Sequence, residues 1–270
     1  MAAPRLGIIA GGGTLPARLA KACRAGGRDY YFLAIEGHAD PSVVEGEPHG
    51  WIRLGDGGKG IARLREENIA ELVFAGSVRR PSIRELRPDG YTLRFFARLG
   101  GAWIGDDSLL SAIVKTLEKE GFSVIGPEAL LEGCLSAAGP YGRVVPDDDA
   151  RRDIERGFEV VRAMGALDIG QAAVVQQGIV LGVEGAEGTD ELIRRCGRLQ
   201  RQGPGGVLVK ARKPGQERRI DLPTIGADTV DLAIASGLRG IAVEAGGALV
   251  FDRERMAGLA DDAGLFVVGV

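Results

Sequence analysis

Histidine is nearly absent from this chain, with 2 residues in 270, and its three cysteines, Cys23, Cys134 and Cys196, form no C-x-x-C pair and have no histidine nearby. That excludes a zinc site of the usual spacing and a disulfide framework, and it suits a reducing cytoplasm. Cys23 falls on an apolar helical pattern and reads as a small core residue. No apolar h-region precedes the first strand, and no run reaches the roughly 18 apolar residues of a membrane span, so neither a signal peptide nor a spanning helix is expected. No segment pairs a basic face with a bulky aromatic one, so no membrane-lying helix is expected either. There is no fixed-period repeat and no low-complexity tract. The formal net charge of −3 provides no long-range attraction for nucleic acid, although local arginine clusters can still hold phosphate.

What is present is the composition of a folded protein, 45% hydrophobic and 26% charged, in a length that suits one large domain or two ordinary ones. "LGIIA", "DYYFLAI", "ELVFAG" and "FSVIG" are short apolar runs separated by helical periodicity in "LPARLAKACRAG", "GIARLREENIA" and "LLSAIVKTLEKEG". This β-α-β alternation predicts a Rossmann-like parallel sheet over residues 1–132, with ligands at the carboxyl ends of its strands. The pattern breaks in "AAGPYGRVVPDDD", which places a linker at 133–149. Asp147, Asp148 and Asp149 at its end suit the positive end of a following helix better than a metal. Over 150–270 a second, mixed α/β domain is expected: two strands joined at Gln176-Gln177-Gly178, a helix in "GTDELIRRCGRL", a strand in "GVLVKAR", a helix in "TVDLAIASG", a hairpin in "GIAVEAGGALVFD", then a helix and a last strand "LFVVGV".

The stretch "GIIAGGGTLP" follows the first strand as a dinucleotide-binding loop would, but Pro16 stands where a third glycine belongs. Proline is comfortable in the first turn of a helix, and Thr14 is a suitable N-cap before it. Gly11, Gly12 and Gly13 can then bring amides to an anion at the helix's positive end. Glu36 ends the second strand about 20 residues on, where a dinucleotide enzyme keeps its ribose-binding carboxylate. A nicotinamide-linked oxidoreductase therefore stays open, as does a binding protein without turnover. Arg79 and Arg80 follow the strand "ELVFAG" and add planar donors for phosphate oxygens. Asp106 and Asp107 precede a helix as caps or as carboxylates for a divalent cation.

The densest polar stretch is "VLVKARKPGQERRIDLPTIGADTV". Lys210, Lys213 and Arg219 supply positive charge, Gln216 an amide, and Asp221 a carboxylate fenced by Ile220, Leu222 and Pro223. Three cations around one carboxylate suit the polarising of a phosphate and the positioning of water. Asp228 competes for the carboxylate's role, although its place at a helix start accounts for it as a cap.

Together "GIIAGGGTLP", "FAGSVRRP", "GDDSLL", "LDIGQAAVV", "EGTDELIRR" and the run K-P-G-Q-E-R-R-I-D-L-P-T-I-G resemble the LpxI-type UDP-2,3-diacylglucosamine pyrophosphatases, in the same order over nearly the whole chain. Glu217 stands where that pattern usually has an aspartate. The resemblance implies a magnesium-dependent, two-domain hydrolase of lipid A biosynthesis that cleaves UDP-2,3-diacylglucosamine to lipid X and UMP, with water placed on the sugar-side phosphorus and the substrate held between the domains. It implies that Asp221, Lys210, Lys213, Arg219 and Gln216 are catalytic and that Asp221, Asp106 and Asp107 face the metal. Substrate contacts would come from Gly11, Gly12, Gly13, Thr14, Leu15, Gly76, Ser77, Arg79 and Arg80, and from Gln171, Thr189, Asp190, Arg194, Thr224 and Gly226. It also implies a cytoplasmic protein in transient contact with the inner membrane through its substrate, and leaves a homodimer open.

Overall fold

The computed structural model describes residues 4–79, 83–99 and 106–270. The chain forms two compact units, residues 1–132 with Glu217–Ile220, and 133–216 with 221–270.

In the first unit the elements run β1 (Leu6–Ala10), α1 (Leu15–Ala25), β2 (Tyr30–Ile35), α2 (Pro41–Val44), β3 (His49–Ile52), α3 (Gly57–Glu66), β4 (Glu71–Ala75), α4 (Ile83–Leu86), α5 (Gly90–Arg98), α6 (Asp106–Lys119) and β5 (Ser123–Ile125). All the strands are parallel, in the order β3-β2-β1-β4-β5. Helices cover both faces, so β2 is buried at every position, as its unbroken apolar run requires. Cys23 joins the core beside Leu19 and Phe32, and all three cysteines are buried and outside any disulfide. Two elements escape the sequence pattern. The edge strand β3, "HGWI", is half-buried throughout and lacks an apolar run. The helix α5, "GYTLRFFAR", begins at Asp89, whose carboxylate caps the Thr92 amide at 2.7 Å. α5 also carries Arg94 and Arg98 beside Tyr91, Leu93 and Phe95.

The second unit runs β6 (Gly139–Pro140), α7 (Asp148–Ala166), β7 (Ala172–Gln176), β8 (Ile179–Val183), α8 (Thr189–Gly197), β9 (Val207–Lys210), β10 (Thr224–Ile225), α9 (Ala227–Ala235), β11 (Gly240–Val243), β12 (Leu249–Val250), α10 (Arg253–Asp262) and β13 (Phe266–Gly269). Its main sheet has the order β6-β13-β11-β9-β7-β8, with β9, β11 and β13 parallel and β6, β7 and β8 antiparallel. One apolar cluster lies beneath α8, α9 and α10, and α7 covers the other face. The β7–β8 turn falls at Gln177 and Gly178, both left-handed, with φ of 51° and 75°. The buried Asp153 of α7 receives both of their amides, at 3.0 and 2.6 Å.

Two expectations change here. Residues 133–149 belong to the second unit instead of linking the two: β6 pairs with β13, and Tyr141 and Val144 pack on its cores. The expected hairpin at 240–252 does not form either. β11 lies inside the main sheet, while β12 pairs in parallel with β10. The reason is the segment around Ser136, which fills the gap between the two arms. Its amide donates to Ala248 O (2.8 Å), its hydroxyl to Glu244 O (2.6 Å), and its carbonyl accepts from Gly246 N (2.7 Å). At the start of α7, Asp147 caps the Ala150 amide at 2.8 Å. That bond, with Arg239 beside it, holds the Asp147 carboxyl below its ordinary range. Asp148 and Asp149 pair with Arg151 and Arg152, so this acidic run serves the helix start.

Candidate active site

The first sheet reverses its strand order between β1 and β4, the position where open α/β sheets take ligands. There Gly12 and Ser77 bridge, with Gly12 N donating to Ser77 O (2.8 Å) and Ser77 N to Gly12 O (3.0 Å). Gly11 N donates to Ala75 O at 2.8 Å. The expectation that all three glycine amides serve an anion is thus corrected: those of Gly11 and Gly12 tie the two loops together. The amides of Gly13, Thr14 and Leu15, at the positive end of α1, have no acceptor among the described residues. Thr14 stands at the N-cap, but its hydroxyl receives Arg18 Nε at 3.4 Å and caps no amide. Gly76, with φ of +89°, makes the close approach feasible. Arg79 is exposed, its guanidinium 3.4 Å from Glu85, and Glu36 is exposed after β2. Arg80 lies outside the described residues, as do the side chains of Asp106 and Asp107, which open α6.

In the second unit the polar residues gather at one end of the sheet. Lys210 ends β9 opposite Ala172 of β7 and beside Val243 of β11, so Gln171 and the β9–β10 connection share that end. Lys210 is only 4% exposed, and its ammonium donates to Thr224 O at 3.1 Å. Burial pushes its pKa down, against the opposing charges of Glu184, Asp190 and Asp221. Glu184 is buried as well, accepting the Thr189 hydroxyl at 2.5 Å and the Gln171 amide at 2.9 Å. Gln216 completes the chain of contacts. Its Nε2 donates to Asp221 Oδ2 (2.6 Å) and reaches Gln171 Oε1 (3.4 Å), while its Oε1 accepts the Lys213 amide (3.0 Å).

Of the three cations expected around Asp221, Lys210 lies within reach of its charge. The Lys213 ammonium sits on Asp168 Oδ1 at 2.5 Å. Arg219 is grouped with the first unit, where it grips Glu217 through two nitrogens (2.9 and 2.8 Å) and Glu118 at 2.7 Å. These carboxylates push the Arg219 pKa further up, and Arg219 in turn lowers that of Glu217. Arg194 forms an exposed pair with Glu191 at 2.6 Å, away from the network. Gly226, not Asp228, is the N-cap of α9; Asp228 lies exposed in that helix's first turn, where its charge suits the positive end of the helix. Two participants were not expected from the sequence, Glu184 and Asp168. Glu184 closes the apolar run "GIVLGVE", and a carboxylate that ends an apolar run just before a helix start was the signal available.

The comparisons agree with this division. The family model for the LpxI N-terminal domain matches residues 5–134, and that for the LpxI C-terminal domain matches residues 137–268. A curated protein of Caulobacter vibrioides, the UDP-2,3-diacylglucosamine pyrophosphatase LpxI, is 43% identical over 98% of this chain and 97% of its own length. The chain belongs to the LpxI family. A solved structure, the CobK precorrin-6A reductase, aligns with a TM-score of only 0.35 and 15% identity over 99% of this chain and 87% of that one. The reductase's chemistry is not carried over. LpxI membership likewise sets aside the nicotinamide reading of the glycine loop.

Among the described residues, no group of three or more His, Cys, Asp or Glu could hold a metal. A single carboxylate such as Asp221 is compatible with magnesium, which is commonly held by one or two carboxylates together with substrate phosphates. In this LpxI chain the buried ammonium allows a test that needs no ligand. Because folding lowers the Lys210 pKa, the unfolded chain binds the proton that the folded one gives up, in the window reaching up to the ordinary value of 10.5. Stability attributable to this residue therefore rises with pH across that window. Urea midpoints at pH 8 and pH 10 should show the natural chain gaining on Lys210→Met. A difference in midpoint, natural chain minus variant, that stays constant or falls between pH 8 and pH 10 would contradict the burial.

Proposed function

We propose that this chain hydrolyses UDP-2,3-diacylglucosamine to 2,3-diacylglucosamine 1-phosphate and UMP, with Asp221 as the residue that handles water. The observation that carries this reading is the full-length likeness to the Caulobacter pyrophosphatase, together with the buried Lys210 at one end of the second unit's sheet, where the charges of Glu184 and Asp221 bear on it. Gln216 orients the Asp221 carboxylate, and Gln216 is itself held by Gln171 and by the Lys213 amide. Asp221 aligns a water on the sugar-side phosphorus and takes its proton. The new P–O bond forms as the bond to the bridging oxygen breaks, and that oxygen leaves with UMP. Lys210 balances charge beside Asp221, and the amides of Gly13, Thr14 and Leu15 offer donors to a phosphate. Magnesium, held by Asp221 and the diphosphate, would neutralise phosphate charge. A diacylated substrate supports a reaction carried out at a lipid surface, which on this reading is the cytoplasmic face of the inner membrane.

The test is to incubate the protein with UDP-2,3-diacylglucosamine dispersed in detergent and to measure UMP with magnesium and with excess EDTA. UMP released only with magnesium is the expected result. No release would refute the hydrolase reading, and equal release in EDTA would refute the metal requirement. Transfer of oxygen-18 from water into UMP instead of the sugar phosphate would move the attack to the other phosphorus.

A further inference from the structure

Several cations on the surface helices of the second unit have carboxylate partners one turn away, among them Arg151 with Asp148, Arg156 with Glu159 and Arg194 with Glu191. The first unit's α5 and α6 differ. Together they line a cavity of about 490 Å³ that carries Arg94 and Arg98 from α5 and Lys115 and Lys119 from α6. None of these four has a hydrogen-bond or ion-pair partner among the described residues. The single carboxylate on the cavity wall, Glu120, is already engaged by the Tyr91 hydroxyl (2.7 Å) and Arg65 (2.6 Å). Burial and that carboxylate push the Tyr91 pKa up to about 12, so the hydroxyl stays a donor and Glu120 stays occupied. Apolar bulk lies beside the charge. Leu93 of α5 is 60% exposed, and Phe95 lines the cavity.

Cations with no hydrogen-bond or ion-pair partner among the described residues, next to an exposed leucine and a half-buried phenylalanine on a short amphipathic helix, match a surface that is anionic at the headgroups and apolar beneath. In a chain with a net charge of −3, general attraction cannot account for such a concentration of positive charge. We propose that α5 and α6 form a docking surface for an anionic lipid bilayer, with Arg94, Arg98, Lys115 and Lys119 on lipid phosphates and Leu93 in the headgroup boundary. The contact then belongs to the protein itself and does not depend on the reaction or on bound substrate.

The test is co-sedimentation of the full chain, without substrate, with vesicles of phosphatidylethanolamine and phosphatidylglycerol, and separately with phosphatidylcholine alone. The expected result is binding to the anionic vesicles only, lost at high salt and weakened about fivefold for each cation removed in Arg94→Gln and Lys119→Gln. Leu93→Asp should weaken binding at low salt while leaving UMP release from detergent-dispersed substrate unchanged. Exposed positions make misfolding a small risk, which urea midpoints would check. The proposal is overturned if the chain stays in the supernatant with anionic vesicles, or if the three variants bind as the natural chain does. It is also overturned if phosphatidylcholine binds equally well, or if inorganic phosphate alone saturates the site and vesicles do not sediment the protein. In each of those cases UMP release could persist, so the hydrolase reading stands or falls separately.

Discussion

Asp221→Ala is expected to lower UMP release by roughly 10² to 10⁴-fold, the scale on which general bases contribute, while product affinity and the fold survive. The expectation rests on the placing of the carboxylate. Asp221 follows Ile220 and precedes Leu222 and Pro223, which keep its backbone stiff. Gln216 holds one of its oxygens at 2.6 Å, and its charge bears on the buried Lys210. Single-turnover kinetics on Asp221→Ala and Asp228→Ala, side by side, would settle which aspartate matters. Asp228 lies exposed in the first turn of α9, so its loss should cost no more than a modest helix-start effect. Near-normal turnover in the Asp221 variant, with loss in the Asp228 variant, would transfer the role. Gln216→Leu is the positioning control. It should lower the maximal rate less than loss of the carboxylate does, and it should shift the pH profile, because Asp221 loses a donor that favours its ionised form.

The second large effect is on stability. Gly76→Ala should lower the urea midpoint well below that of Gly13→Ala, although both glycines lie in the left-handed region, at φ of +89° and +86°. Holding alanine there costs roughly 1–3 kcal/mol in each case. At Gly13 nothing lies within 4 Å of the added carbon, so conformation is the whole cost. At Gly76 the carbon would fall 2.0 Å from Gly12 O, a backbone atom that cannot rotate away. The Gly12–Ser77 bridge must then open, and with it the close approach of the β1 and β4 loops. Equal midpoints for the two variants would show that the loops can part without cost. That would remove the reason for reading these glycines as a brace.

Much of this protein is legible from residue order because the physics involved is local. Unbroken apolar runs such as "YYFLAI" can be buried only on both faces of a parallel sheet, and four of the five strands of the first sheet follow from them. Gln177-Gly178 makes its turn because both residues tolerate positive φ. The motifs from Gly7 to Gly226 identify the family for a related reason, since each crowds polar groups where no core requires them. Contacts between distant residues are another matter. β3 has no pattern of its own and exists because β2 offers it an edge to pair with. The arms at 240–252 read as a hairpin until Ser136, more than a hundred residues away in sequence, satisfies their backbone groups.

The polar network shows the same division. Composition alone shows that Lys210, Lys213, Arg219 and Asp221 are near one another along the chain, and nearness in sequence suggests a ring of charge. In the folded protein each cation goes to the carboxylate that can best offset its loss of water: Lys213 to Asp168, Arg219 to Glu217 and Glu118, and the deeply buried Lys210 to the field of Glu184, Asp190 and Asp221. Glu184 enters the site only because β8 ends beside Gln171 and Thr189. Residue order was enough for most of the elements and for the family, because periodicity and turn chemistry act over a few residues. Which charges meet was left to the packed fold, because a buried charge is stabilised by whichever partner the topology brings within reach, however far away it lies along the chain.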